Sequence, residues 1–207
     1  VSVCAAKYLS VSNPLELAIV GPGKINTKVA EGILKLYPSI EVISVSGHSQ
    51  RGSETFKNKI KKQFPQVKIK IADSLECAVK NADIVSVNSG FEFDDINEMP
   101  IFRNGWIKEN ALVISMSFIK IPNGIIYGSS IKVTDSKKMY MSYVEELGMP
   151  SYSHVSILGN SIADAICMEK IREEDVIDIS DIITNKVSVK EMNGIRLFAA
   201  GGLGIED

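Results

Sequence analysis

The chain has 207 residues, 45% of them hydrophobic and 23% charged, with a formal net charge of −2. Such a composition describes an ordinary globular chain able to bury one sizeable core. It gives no electrostatic reason to expect nucleic acid or an anionic membrane as partner, and no apolar run approaches a membrane span or signal peptide.

Taken in order, Val3 to Leu9 carry a short apolar pattern, the end of a helix leading into the domain, which Asn13-Pro14 breaks. Leu17-Ala18-Ile19-Val20 reads as a buried parallel strand, since an unbroken apolar run suits a strand covered on both faces. Gly21-Pro22-Gly23 turns the chain, and Ile25, Val29, Ile33 and Leu36 then recur at helical spacing. Strand, glycine turn and helix in this order form a phosphate-binding corner. Gly21 permits the turn, and Gly23 lets backbone approach a pyrophosphate at the helix N-terminus, where free N–H groups favour anions. Gly21, Pro22, Gly23, Lys24 and Ile25 are therefore the expected backbone contacts to a dinucleotide. The third glycine of Gly-x-Gly-x-x-Gly is replaced by Asn26.

A second strand is expected over Ile40 to Ser46, followed by the loop Ser46-Gly47-His48-Ser49-Gln50-Arg51 where such a fold meets the adenosine ribose. That loop contains no acid to bond a ribose 2′-hydroxyl, while Ser49 and Arg51 can donate to a 2′-phosphate. The cofactor expected is thus NAD(P), with NADP favoured over NAD. Ser46, His48, Ser49 and Arg51 are the candidate contacts there. From Glu54 to Phe64, Phe56, Ile60 and Phe64 share one helical face. Lys57, Lys59, Lys61 and Lys62 fall largely on the others and read as a solvated surface.

Lys68 to Ala72 alternates as a third strand, and Asp73 with Glu76 has the spacing of a capping box for a helix to Asn81, with Cys77 on its apolar face. Asp83 to Val87 is a fourth strand ending at Asn88-Ser89, candidate contacts at the crevice edge. Phe91 to Gly105 reads as a loop, and its acids Asp94, Asp95 and Glu98 lack the spacing of a calcium loop, so no metal site is expected. Strands are expected over Ala111 to Ser115 and Ile131 to Thr134. Helices follow over Lys137 to Leu147, Asn160 to Ile171 and Ile179 to Lys186, before a last strand over Ile195 to Phe198. Alternating strands and helices predict an α/β fold, a doubly wound and mostly parallel sheet of Rossmann type.

Ser115 and Ser117 stand where a strand end meets nicotinamide or substrate, and Ser117 is the candidate for a catalytic role. The two histidines, His48 and His154, have no carboxylate or nucleophile at a suggestive spacing. Cys4, Cys77 and Cys167 are odd in number and outside any Cys-x-x-Cys pattern, which reads as reduced thiols of a cytoplasmic protein.

Ala5-Ala6-Lys7-Tyr8-Leu9, the Gly21-Pro22-Gly23 corner, Ala82-Asp83-Ile84-Val85 running to Asn88-Ser89, and Phe198 to Asp207 with Gly202 appear in that order. In this the whole chain resembles the nucleotide-binding half of the ornithine cyclodeaminase/mu-crystallin family. The resemblance implies one dinucleotide-binding domain over 1–207, a piece of a longer two-domain protein. The N-terminal domain of that family supplies the dimer interface and much of the substrate pocket, so a homodimer is implied. It also implies hydride transfer to or from a small amino acid or its imine. Asp135 and Asp207 match family positions. Two departures point away from cyclodeamination: no acid stands in Ser115-Met116-Ser117-Phe118-Ile119-Lys120, and a Phe-Asp-Ser pattern has become Phe198-Ala199-Ala200. Ornithine cyclodeaminase, a largely non-catalytic NADP-binding mu-crystallin-like protein and a non-redox transferase are the alternatives.

Overall fold

The computed structural model describes residues 1–89, 99–128 and 130–201. Among the described residues eight strands form one sheet in which every pairing is parallel. They are β1 (Glu16–Val20), β2 (Val42–Ser46), β3 (Lys68–Ile71), β4 (Ile84–Val87), β5 (Leu112–Ser115), β6 (Ile131–Thr134), β7 (Val176–Asp178) and β8 (Arg196–Ala199). Their order across the sheet is β3-β2-β1-β4-β5-β8-β6-β7. The chain builds outward from β1 to β3, then crosses back to place β4 on the other side of β1. The last strand inserts between β5 and β6.

Helices cover both faces, as an all-parallel sheet requires. α1 (Ser2–Leu9), α2 (Lys24–Leu36), α3 (Gln50–Gln63) and α8 (Ile179–Ile183) pack on one face, against Leu17, Ile19, Ile43, Val45 and Phe198. α4 (Leu75–Val79), α5 (Asn123–Tyr127), α6 (Lys137–Leu147) and α7 (Leu158–Cys167) pack on the other, against Ala18, Val20, Val85, Val87 and Leu197. Successive residues of β1 alternate between the two cores, as the two-residue period of a strand dictates. Each fully buried leucine or isoleucine of these strands contributes roughly 1.5–3 kcal/mol.

The register aligns the strand ends. Val20 pairs with Ser46 and Val87, Val87 with Ser115, and Ser115 and Thr134 each with Ala199. The residues that follow, Gly21, Gly47, Asn88, Met116, Ala200 and Asp135, therefore emerge together along one edge of the sheet.

Several local expectations are corrected. α3 begins at Gln50, so Gln50 and Arg51 belong to its first turn, with Ser49 as N-cap accepting from Gly52 N. α4 is capped by Ser74, whose Oγ accepts from Cys77 N, and ends at Val79; the Asp73–Glu76 box does not form the cap. Cys77 is exposed rather than part of an apolar face, because α4 turns Ala78 and Val79 inward. Ile25 is 62% exposed, while Val29 and Ile33 on the same helix are buried. α7 runs over Leu158–Cys167, so it starts two residues and ends four residues earlier than the expected Asn160 to Ile171. α5 and β7 were not anticipated. The acids Asp94, Asp95 and Glu98, and the terminal Gly202 and Asp207, lie outside the described residues.

Candidate functional site

The β1–β4 neighbourhood is where strand order reverses, and the crevice beyond the strand ends at such a point is the ligand site of open α/β sheets. Here a cleft of about 480 Å³ opens between Gly21, Pro22 and Gly23, the β2–α3 loop at Gly47, His48 and Ser49, and Asn88 and Ser89 beyond β4. Leu75, Pro100 and Ile101 supply an apolar wall opposite these polar and glycine-rich segments.

The glycines of the corner do different work. Gly21 has φ +81°, and a Cβ on it would lie 2.3 Å from Asn88 O, so neither conformation nor space admits a side chain. Gly47 is closed as well, since a Cβ there would meet Pro22 Cδ and Cγ at 2.8 Å and Ser53 Oγ at 2.7 Å. Gly23, the N-cap of α2, has nothing within 4 Å of where its Cβ would be. It leaves a cradle at the start of a 13-residue helix whose first N–H groups lack intrahelical partners.

Asn26, in place of the motif's third glycine, is fully buried. Its Nδ2 donates to Val20 O at 2.9 Å, Gly21 O at 3.0 Å and Ser86 O at 3.2 Å, and its Oδ1 accepts from Ser86 Oγ at 2.6 Å. One side chain ties the end of β1, the turn and β4 together. The substitution exchanges close helix–strand packing for a hydrogen-bonded clamp on the same corner.

Beside the cleft, around the N-terminus of α2, lies a second hollow of about 700 Å³ lined by Val1, Val3, Lys24, Ile25, Asn88, Met116, Ala200 and Gly201. Met116 and Ala200 bring the ends of β5 and β8 into it. Asn88 lines both hollows.

The structure thus gathers Gly21, Pro22, Gly23, Ser46, His48, Ser49, Asn88 and Ser89 on one cleft, with Lys24 and Ile25 lining the adjoining hollow. Ser115 and Ser117 line neither. Ser115 is buried and its Oγ donates to Ser117 O at 3.2 Å, while Ser117 Oγ accepts from Ser89 N at 3.1 Å. Both hydroxyls brace the loops after β4 and β5. Ser89 Oγ is buried with no partner among the described residues, an unused polar group at the crevice rim. Asp135 accepts from Gly201 N at 2.8 Å and Ser136 N at 2.9 Å, which fixes the strand ends. His154 is exposed after a short helical turn and lines neither hollow. Sequence reasoning did not single out Met116, Gly201 or the clamp role of Asn26, because each depends on strands distant in the chain. Among the described residues no group of three His, Cys, Asp or Glu side chains stands close enough to hold a metal.

The parallel sheet with its crevice at the reversal of strand order defines a Rossmann-type α/β domain. The chain belongs to the ornithine cyclodeaminase/mu-crystallin family, whose model matches residues 1–207. It is 22% identical over 135 residues to N-((2S)-2-amino-2-carboxyethyl)-L-glutamate dehydrogenase of Staphylococcus aureus, a match covering 65% of this chain and 38% of the relative. Among solved structures it is similar to Thermococcus litoralis Δ1-pyrroline-2-carboxylate reductase in complex with NADH and L-proline. There the TM-score is 0.76 at 21% identity, over 99% of this chain and 58% of the other. An archaeal alanine dehydrogenase dimer with bound NAD is also similar, with a TM-score of 0.71 at 15% identity over 99% of this chain and 57% of the other. The chain therefore spans less than three fifths of each of these proteins. No helix among the described residues is long and apolar enough to cross a membrane.

Proposed function

We propose that this chain is the cofactor-binding half of an NAD(P)-dependent oxidoreductase that transfers hydride to or from a small amino acid or its imine. The observation that carries the reading is the cradle at Gly23: open space at a helix N-terminus, in a corner that Gly21 and Asn26 hold rigid. A dinucleotide fits these residues. The backbone N–H groups of the α2 N-terminus would hold the pyrophosphate, Ser46, His48 and Ser49 would meet the adenosine ribose, and Leu75 and Ile101 would offer the adenine an apolar surface. Asn88 lines both hollows, where it would orient the nicotinamide half toward Met116 and Ala200. The bound cofactor supplies the hydride donor or acceptor; the protein positions it and excludes water. The names of the Staphylococcus relative and the two solved structures, all reductases or dehydrogenases of amino acids or their imines, support the same reaction class.

The substrate would enter the hollow beside Met116, where exposed Ile25 and Val1 form an apolar wall. In this reading the opposite wall comes from a further domain, and the whole protein works as a homodimer. The alanine dehydrogenase dimer supports that assembly. Three free thiols favour a reducing, cytoplasmic location. The loop from Met116 to Lys120 carries no carboxylate, which favours plain hydride transfer over cyclodeamination, where a proton must also be moved at the reacting carbon.

Calorimetric titration with NADH and NADPH tests the cradle. Replacing Gly23 with Val places a side chain in the open space, and dinucleotide affinity falls at least tenfold while the unfolding midpoint stays put. Equal affinity for both proteins would remove the assignment. For the full-length protein, net NAD(P)H oxidation by a cyclic imino acid is the expected activity. Proline and ammonia formed from L-ornithine with no net redox change would replace it with cyclodeamination.

A further inference from the structure

We infer that the hollow at the foot of β6 and β7 is a second ligand site, one that takes an amino acid with an aliphatic side chain. It lies where these strands start, at the edge of the sheet opposite the dinucleotide cleft, between the ends of α5 and α7 and the segment leading into β7. Its volume is about 710 Å³. Lys132, the second residue of β6, lines it and is only 3% exposed. Lysine is almost never buried so fully without a carboxylate beside it. Here Nζ donates to the backbone carbonyls of Gly128 at 3.1 Å and Ser130 at 2.8 Å. It forms no ion pair among the described residues. An ammonium carries three donors, so two carbonyls leave one N–H and the whole charge unmatched. Burial holds the Lys132 pKa below the ordinary lysine value, and the charge of Asp175 offsets this only in part. Asp175 is itself committed to Arg172, at 2.6 Å.

The rest of the lining selects the ligand. Ile131, Ile166, Ile171, Ile177 and Met192 give it an apolar wall, and Met192 is 42% exposed. The acids Glu169, Glu173, Glu174 and Asp175 line it too, all on the exposed side of the hollow, with Lys170 and Arg172 among them. Arg172 holds Glu174 at 3.2 Å as well as Asp175, and Lys137 of α6 holds Glu173 at 3.5 Å. Glu169 and Lys170 have no ion pair among the described residues. Lys132, Lys137, Lys170 and Arg172 thus balance the acids, and the hollow as a whole is neutral. A bare anion drawn to Lys132 would have to pass the acids. An amino acid brings both charges and leaves the balance unchanged: its carboxylate takes the unspent N–H of Lys132, its ammonium faces Glu169, and its aliphatic chain covers the apolar wall.

Calorimetric titration of this chain with L-leucine tests the site, beside its α-keto acid, which lacks the ammonium, and isopentylamine, which lacks the carboxylate. Each analogue should bind about tenfold more weakly than L-leucine, the loss of one charge-assisted contact. Glu169→Gln, a change on the surface, should weaken L-leucine by about the same factor and leave the keto acid unmoved. Lys132→Met should abolish binding. In the unaltered protein, with isotope-labelled lysine, the ε-methylene resonance of Lys132 should shift as L-leucine is added, which reads the contact whether or not that variant folds. Ile25→Glu alters the substrate hollow of the proposed reaction and should leave L-leucine binding unchanged. Loss of binding in Ile25→Glu with none in Glu169→Gln would place the amino acid in the substrate hollow and overturn the second site. Equal binding of the keto acid, a Lys132 resonance that stays fixed, or no saturable binding of L-leucine would overturn it as well, and none of these outcomes touches the dinucleotide cleft.

Discussion

Two regions of the sheet edge use glycine for different purposes. Around the central strands β1 and β4, Gly21 and Gly47 allow backbone and loops to approach closely, while Gly23 leaves the edge open before a helix start. At the β6–β8 end it is kept full. Tyr140 of α6, 2% exposed, lies so close to α7 that a Cβ on Gly159 would fall 2.0 Å from its ring. A Cβ on Gly201 would fall 2.8 Å from the phenol oxygen. Burial, and then the nearby Asp135, push the phenol's pKa well above its ordinary value, so Tyr140 stays neutral. Glycine at a strand or helix end thus marks a close approach. Whether the approaching group belongs to the fold or to a ligand is decided by what fills the space.

The largest test of this contrast is Gly159→Ala. The ring of Tyr140 is enclosed by the second core and cannot swing away, so the added methyl forces α6 and α7 apart. The expected cost is about 2–3 kcal/mol, read as a lower urea midpoint at unchanged slope. Gly23→Val, the larger change, should shift the midpoint by less than about 0.5 kcal/mol, since it meets nothing. Similar losses for both would erase the distinction between an open and a filled edge.

What the sequence makes legible follows the same division. The strand–glycine–helix corner is written in ten consecutive residues, and the structure places it where the apolar run and the turn demand. The helix over Lys137–Leu147 is likewise local, ended by Gly148 at φ +78°. Of the shortest elements, α5 and β7 escape and α4 is found without its cap or buried face, because five, three and five residues are too few for a period to identify a buried side. That is why Cys77 turned outward unannounced, and why Ser74 rather than its neighbour Asp73 caps α4. The insertion of β8 between β5 and β6 is set by packing alone. In the site, the glycines are readable, whereas the Asn26–Ser86 contact joins residues 60 positions apart.

Asn26→Ala sharpens the comparison from the open side. It removes three donated bonds and leaves Ser86 Oγ without its acceptor in a fully buried place. Stability should fall by about 2 kcal/mol. The dinucleotide affinity should fall too, because the cradle is only as rigid as the clamp beneath it. Ser86→Ala on top of Asn26→Ala should cost little more, with a coupling of about 1 kcal/mol between the two sites. Strictly additive losses would mean that the pair is not a unit.

The smallest loss expected from removing an interaction comes from the opposite edge of the same two strands. Asp83, just before β4, accepts from the backbone N–H groups of Leu15 and Glu16 at 2.8 and 3.1 Å and pairs with Lys108. It thus fastens β4 to the start of β1, below the corner that the clamp of Asn26 closes above. Burial pulls its carboxyl pKa upward, but the Lys108 ammonium and the two backbone donors outweigh it and hold the value below the ordinary one. A group whose folded pKa is depressed adds stability above its unfolded pKa, near 3.9 by the usual reference. That contribution disappears as pH falls through the folded value. Lys108 is half exposed, so the pair is screened and much of the effect rests on the two backbone bonds. Asp83→Asn keeps the shape but loses the charge, at an expected cost of about 1 kcal/mol at neutral pH. Urea midpoints measured from pH 7 down to the acid transition should show the two proteins converging below the ordinary carboxylate pKa. A gap that persists unchanged through that window would place the contribution of Asp83 in its packing rather than in its charge.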